Sequence, residues 1–146
     1  MAALAASPKR DTARAMSQAN VESYREVLAA WNDGDFDRML NFMADEVEVS
    51  SILTTVEGGY HGHDGVRRWW QNFHETFPDW HVEIQGISSV GDATIARLHA
   101  RGHGGESGVP VDQLLWHVVH WRDGKAIRVS SHGNEADGLE AAGLSE

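Results

Sequence analysis

Cysteine is missing from this chain of 146 residues, and proline occurs only three times. Without thiols, disulfides, thiolate metal sites and cysteine nucleophiles are excluded. No apolar run approaches the roughly 20 residues that cross a bilayer. The N-terminal stretch MAALAASPKRDTARAMSQ also has no apolar core of the kind found in secretory signals. We therefore expect a cytoplasmic protein.

Basic residues are scarce as well. Twelve Lys and Arg stand against 22 Asp and Glu, a net charge of −10 with histidine neutral. This charge disfavours a phosphate backbone or an anionic membrane as partner. The chain is instead rich in aromatic bulk, with six Trp, four Phe and two Tyr. Its length predicts one domain that buries roughly two-thirds of its unfolded surface.

The N-terminal half begins with a clear helical period. Apolar residues at three- and four-residue spacing predict an amphipathic helix: Val21, Tyr24, Val27, Leu28 and Trp31. Gly34 suits a left-handed C-terminal cap, and Asp35 can N-cap a second, shorter helix. A turn at 44–46 then leads into an alternating strand at 47–51. We expect a flexible tail over 1–17 and a single domain over 18–146.

The C-terminal half alternates one helix with several strands. Asp64 is the predicted N-cap of a helix that ends before Pro78. Turns are predicted at 91–92 and, from the strong hairpin signal RDGK, at 122–125. A short helix closes the chain. The predicted strands are 80–89, 93–104, 109–121 and 126–131.

Five motifs together look like one known superfamily: WNDGDFD, YHGHDGVRRWW, FPDW, WRDGK and LEAAGL. Over about residues 18–144 the chain resembles the nuclear transport factor 2-like superfamily, in particular its SnoaL-like branch. Relatives include ketosteroid isomerases, polyketide cyclases and limonene epoxide hydrolases. The resemblance implies an α+β fold, a cone-shaped barrel with three N-terminal helices packed on a curved, mostly antiparallel sheet. The expected order is α-α-β-α-β-β-β-β plus a short C-terminal helix, around a pocket for a small hydrophobic molecule.

Strand parity proposes which residues face that pocket. Val47, Val49 and Ser51 share the apolar face of the first strand. On the third long strand both faces carry large apolar groups, so parity alone leaves the choice open. Aligning the WRDGK hairpin with the family turns His117 inward. The same register points the following residues inward: Gln113, Leu115, Val119, Trp121, Ala96, Leu98, Ala100, Ile127, Val129 and Ser131.

The resemblance also shows which known mechanisms this chain lacks. Where ketosteroid isomerases have their catalytic base, this chain has Ser51. Where they have the oxyanion-binding tyrosine, it has Val27, and Tyr24 lies about one helical turn away. The acidic final-strand position of limonene epoxide hydrolases is Ser131. Their arginine–aspartate couple is replaced by Leu98 and Ala100. Neither mechanism can operate here.

His117 is the remaining candidate for catalysis, because the resemblance puts it where relatives hold an oxyanion acid. A neutral imidazole in an apolar pocket can act as base or hydrogen-bond donor. The alternative is a core histidine paired with a serine or a carbonyl. Predicted substrate-binding residues are Trp31, Ser51, Trp69, Gln113, Val129 and Ser131. For the tryptophans, packing in the core is the competing interpretation.

The nine histidines raise the question of a metal. His61 and His63, or His99 and His103, could chelate from one face of a strand. No third ligand converges on either pair, so we expect no metal and no cofactor.

The outer face of the sheet predicts a homodimer, because an exposed Trp and Val set among polar side chains are more often an interface than a solvated surface. Its residues are Arg97, His99, Trp116, Val118 and His120. The alternative is that the C-terminal helix packs over them. Three functions stay open: a cofactor-free isomerase, cyclase or hydrolase acting on a small hydrophobic substrate, a non-catalytic binder, and a dimerising module.

Overall fold

The computed structural model describes residues 8–50 and 59–143, with side chains described from residue 14. The helices are α1 (Pro8–Asp33), α2 (Phe36–Leu40), α3 (Gly62–Thr76) and α4 (Glu135–Ala141). The strands are β1 (Met43–Ser50), β2 (Tyr60–His61), β3 (His81–Val90), β4 (Ala93–His103), β5 (Pro110–Arg122) and β6 (Lys125–His132).

The described strands form one curved, unclosed sheet in the order β2-β1-β6-β5-β4-β3. Neighbouring strands are antiparallel except β1 and β6, which run parallel. Helix α1 packs on β3 and β4, and α3 packs on β1 and β2. This mixed α+β architecture confirms the predicted cone fold and its element order. The short strand β2 is an addition that the sequence did not predict.

Two turns form as their residues predict. Asp35 accepts a hydrogen bond from the backbone N–H of Arg38 at 3.1 Å and so caps α2. Asp123 and Gly124 both have positive φ, 52° and 78°, at the β5–β6 hairpin. Positive φ at both central residues is the geometry that suits the twist of a two-residue hairpin, and Asp-Gly adopts it readily.

Three predicted boundaries are wrong. Residues 44–46 are not a turn but part of β1, because the strand already pairs with β6 at Met43, opposite Ala126. The pairing is irregular between Met43 and Glu48. Asp64 lies in the first turn of α3 rather than at its N-cap, because the helix already begins at Gly62. Helix α1 begins at Pro8, so 8–17 is helical. The apolar period cannot detect this part of the helix, which is mostly polar.

The main core lies between the helices and the inner face of the sheet. Five residues predicted to face the pocket or the core are all buried: Val47, Val49, Trp69, Leu115 and Val119. Asn32 fixes α1 to the edge strand β3. Its amide donates to the carbonyl of Val82 at 2.8 Å, and its carbonyl oxygen accepts from the N–H of Val82 at 3.1 Å.

Helix α4 covers part of the outer face, which corrects the predicted dimer surface. Val118 is completely buried in a second cluster that includes Ala142, with Trp116 packed against it. The Nε2 of His120 donates to the carbonyl of Ala141 at 2.7 Å. For these three β5 residues, packing under the C-terminal helix is therefore the correct interpretation.

Candidate functional site

A largely apolar cavity lies between the helices and the inner face of the sheet. The volume within which the centre of a water-sized molecule can move is about 60 Å³. A single water needs roughly 10–15 Å³ on such a measure, so the space suits a small organic molecule. The lining residues are Val27, Leu28, Trp31, Met39, Met43, Trp69, Phe73, Trp80, Val82, Leu98, Leu115, His117, Val119, Trp121, Ala126, Val129 and Ser131.

Among the described residues that line the cavity, His117 is the one with an ionisable side chain. It lies on the inner face of β5, directly opposite Ser131 on β6, and both side chains line the cavity. The hydroxyl oxygen of Tyr24 lies 2.7 Å from Nδ1 of His117, which is a hydrogen bond between α1 and the sheet. Tyr24 is fully buried and is not part of the lining.

The surroundings keep both members of this pair uncharged at neutral pH. Burial lowers the pKa of His117 from 6.5 to about 4, and the nearby charge of His132 acts in the same direction. Burial also raises the pKa of Tyr24 well above its usual value of 10. The cause is the same in both cases, because an apolar environment disfavours the charged form.

The structure brings most of the predicted site residues together. Trp31, Trp69, Val129 and Ser131 line the cavity beside His117. Gln113 shares the inner face of β5 but is not part of the lining. Ser51 lies outside the described residues.

One inward prediction fails at a bulge. The β5–β6 register shifts between His120 and Trp121, so that Trp121 pairs with Ala126. Ala126 therefore lines the cavity, whereas Ile127, which was predicted to do so, does not. A bulge inserts one residue and turns the following side chains to the other face.

Tyr24 is the residue that sequence reasoning missed. Its place on the apolar stripe of α1 predicted burial but not a polar partner. The pairing with His117 spans 93 positions of the chain. The sequence did indicate that the phenol of Tyr24 and the imidazole of His117 both face the core. It did not indicate that the two groups contact each other.

Hydrogen-bond donors without partners are few in the described part of the chain. Its buried side-chain nitrogens without a partner are Nε1 of Trp69 and Nε2 of Gln113. The indole of Trp121, by contrast, donates to the Thr94 hydroxyl at 3.0 Å. No Asp, Glu, Lys or Arg of the described residues lines the cavity.

Residues 8–50 and 59–143 contain no cluster of three or more His, Asp or Glu side chains that could hold a metal ion. Several histidines have other partners. The Nε2 of His63 donates to the carbonyl of Met43 at 3.0 Å. Carboxylates of Asp112 and Asp79 lie 2.6 and 2.7 Å from ring nitrogens of His99 and His103. Within the same residues, no helix is both long enough and apolar enough to cross a membrane.

The chain belongs to the SnoaL-like domain family, which matches residues 24–129. No curated protein matches it. Solved structures share the fold at low sequence identity. A protein from Jannaschia sp. CCS1, assigned as a SnoaL-like polyketide cyclase, is 17% identical with a TM-score of 0.70, over 90% of this chain and 95% of that one.

Two further similar structures contain small molecules. TerC, crystallised with polyporic acid, is 20% identical with a TM-score of 0.69, over 86% of this chain and 98% of its own. A Catenulispora acidiphila protein with a ketosteroid isomerase-like fold, in complex with trimethylamine, is 15% identical with a TM-score of 0.68. The matched shares are 85% of this chain and 94% of that protein.

Proposed function

We propose that the protein binds a small, mostly apolar organic molecule in the cavity, with His117 as its polar contact. The observation that carries this proposal is a neutral histidine set in a lining that is apolar apart from Ser131. A pocket of this kind gains affinity from apolar contact, while a few polar groups fix the orientation of the ligand. The ligands of the two similar structures support a small-molecule role for the fold.

The chemistry we favour is cofactor-independent acid–base catalysis of isomerase, cyclase or hydrolase type, with His117 as the catalytic residue. A pKa of about 4 leaves the imidazole neutral at physiological pH. It can then donate a hydrogen bond to a developing oxyanion. We infer that Ser131, which pairs with His117 across β5 and β6, orients the bound molecule.

A non-catalytic binder is the second candidate. It is favoured by the absence of any carboxylate from the described lining, since related enzymes rely on acidic residues. The titratable group beside His117 is Tyr24, which lies outside the lining. Within the described lining, proton transfer between two substrate positions therefore has only one side chain to carry it.

The test is His117→Phe, which keeps approximate volume and removes both ring nitrogens. The probe is the molecule that co-purifies with the protein, identified by mass spectrometry and titrated by calorimetry. We expect affinity to fall by about 1–3 kcal/mol, because the ligand's polar group is left without a partner. His81→Phe is the control, since the same change is made at an exposed position of β3. Equal affinity of His117→Phe and wild type would contradict a role for His117.

We also propose a second copy of this chain as a partner, through the part of the outer face that α4 leaves open. Arg97 is exposed on β4, and Leu114 on β5 is 42% exposed. His99 lies beside Leu114 in the β4–β5 register. An apolar centre with a polar rim is the usual anatomy of an interface, and Leu114 would be that centre here.

A further inference from the structure

The hydrogen bond between Tyr24 and His117 determines more than packing. The Tyr24 hydroxyl is completely buried, and within the described residues its hydrogen bond is to Nδ1 of His117. A buried hydroxyl proton without an acceptor costs about 1–3 kcal/mol. Because the phenol stays protonated, its proton is best placed on the line to Nδ1.

This direction of donation fixes the tautomer of the histidine. A neutral imidazole has one protonated nitrogen and one accepting nitrogen. If Nδ1 accepts from Tyr24, the proton of the imidazole is on Nε2. The hydrogen bond made by one ring nitrogen commonly sets the state of the other in this way.

The position of the ring then decides which nitrogen a ligand meets. His117 lines the cavity, whereas Tyr24 lies behind it, outside the lining. Because Nδ1 is bonded to Tyr24, which is not part of the lining, Nε2 is the ring nitrogen left to meet a ligand in the cavity.

We propose that Tyr24 is a positioning residue that holds His117 as the Nε2–H tautomer, so that the cavity presents a hydrogen-bond donor and selects uncharged ligands with an acceptor oxygen. This inference rests on the proposed binding function and names its ligand class. Ketones, aldehydes, esters and epoxides carry such an oxygen. Charged molecules are disfavoured, because the described lining has no Asp, Glu, Lys or Arg to pair with them and an unpaired buried charge is costly.

The tautomer can be measured directly by nitrogen-15 NMR of histidine-labelled protein at neutral pH. Protonated and unprotonated ring nitrogens have well-separated shifts, and couplings to the ring protons assign each one. We expect a protonated Nε2 and an unprotonated, hydrogen-bonded Nδ1 for His117. A protonated Nδ1 would overturn the inference.

Tyr24→Phe removes the donor with little change in volume. We expect the Nδ1 resonance to move towards that of a free accepting nitrogen, and the Nδ1–H tautomer to become detectable. A purely structural role for Tyr24 would leave both unchanged. Tyr60→Phe is the control, because that buried hydroxyl accepts from Asn72 at 3.2 Å and has no hydrogen bond with His117.

The ligand class is tested with three ring compounds of similar size. Cyclohexanone carries an acceptor oxygen, methylenecyclohexane lacks it, and cyclohexylamine is a cation. We expect cyclohexanone to bind about fivefold more tightly than methylenecyclohexane, the value of one net hydrogen bond, and cyclohexylamine to bind most weakly. In His117→Phe the first preference should disappear.

Two outcomes separate this inference from the proposed function. Equal binding of cyclohexanone and methylenecyclohexane would support the cavity as a binding site and overturn the selection by His117. An Nε2–H tautomer that is disturbed in Tyr24→Phe, with no binding of any compound, would confirm the positioning role of Tyr24 and contradict both the binding function and the ligand class.

Discussion

Acidification should destabilise this protein through His117, and the size of the effect can be worked out from the structure. Burial lowers the pKa of His117 in the folded protein to about 4, from 6.5 for an ordinary histidine. Below pH 6.5 the unfolded chain therefore takes up a proton at this residue that the folded chain does not. More protons on the unfolded state mean that the free energy of unfolding falls as pH falls.

The pH window follows from the two pKa values. The stabilisation is fully present above about pH 6.5 and is lost progressively as pH falls towards about 4. Each unit of pKa difference corresponds to about 1.4 kcal/mol. Across the whole pH window the free energy of unfolding therefore falls by about 3 kcal/mol, and about 2 kcal/mol of this is lost between about pH 7 and about pH 5.

The assay is urea denaturation of wild type and His117→Phe at several pH values between those limits. Other groups titrate in the same range, but those that do not interact with His117 contribute equally to both proteins and cancel in the difference. We expect the wild type to lose about 2 kcal/mol more than His117→Phe. His81→Phe, at an exposed site of β3, should behave as the wild type does.

An equal loss in wild type and His117→Phe would refute the reasoning. It would mean that His117 takes up its proton in the folded state at an ordinary pKa. The cavity would then have to hold water or a counter-charge around the imidazole. At mildly acidic pH Nδ1 would then carry a proton and could not accept from Tyr24, so the proposed Nε2–H tautomer would be lost there.

Three further predictions concern positions around the site. Gly138→Ala should destabilise the protein by about 1 kcal/mol, because the new Cβ would lie 2.9 Å from Cβ of Trp116 and overpacking outweighs the gain in helix propensity. Urea denaturation measures the change, and Gly86→Ala is the control, because its new Cβ would meet nothing within 4 Å. Gln113→Met should raise the free energy of unfolding by about 1 kcal/mol, since it removes a buried amide nitrogen without a partner in the described chain. A fall in stability would show that the amide has a partner. Leu114→Glu should shift the mass in light scattering from dimer to monomer with the fold intact, and an unchanged mass would exclude this surface as the interface.

Much of the fold could be predicted because its signals are local. The apolar stripe of α1, the cap at Asp35 and the Asp-Gly hairpin each depend on a few neighbouring residues. Parity gave the two alternating sets of β5 residues, and the resemblance through the WRDGK hairpin chose the inner set correctly up to Trp121. It failed on β6, because a bulge is not visible in the alternation of Ala126, Ile127 and Val129.

The outer face shows a different limit. Trp116, Val118 and His120 form the same alternating pattern whether a second chain or the chain's own α4 covers them. The difference lies in Gly138, whose missing side chain lets the helix approach Trp116 closely. A glycine inside a short C-terminal helix is only a weak signal in the sequence, and its meaning depends on what it packs against.

The site itself depends on how far along the sheet α1 is placed. The helical period puts Tyr24 on the buried face, and the family resemblance puts His117 on the inner face, but neither fixes their separation. The two hydrogen bonds between Asn32 and the backbone of Val82 set that position. Asn32 lies eight residues after Tyr24, about 12 Å along the helix at 1.5 Å per residue. A shift by one turn would move the phenol by about 5 Å, beyond hydrogen-bond reach of Nδ1. An asparagine at the end of α1 thus supports the tautomer of a histidine on β5.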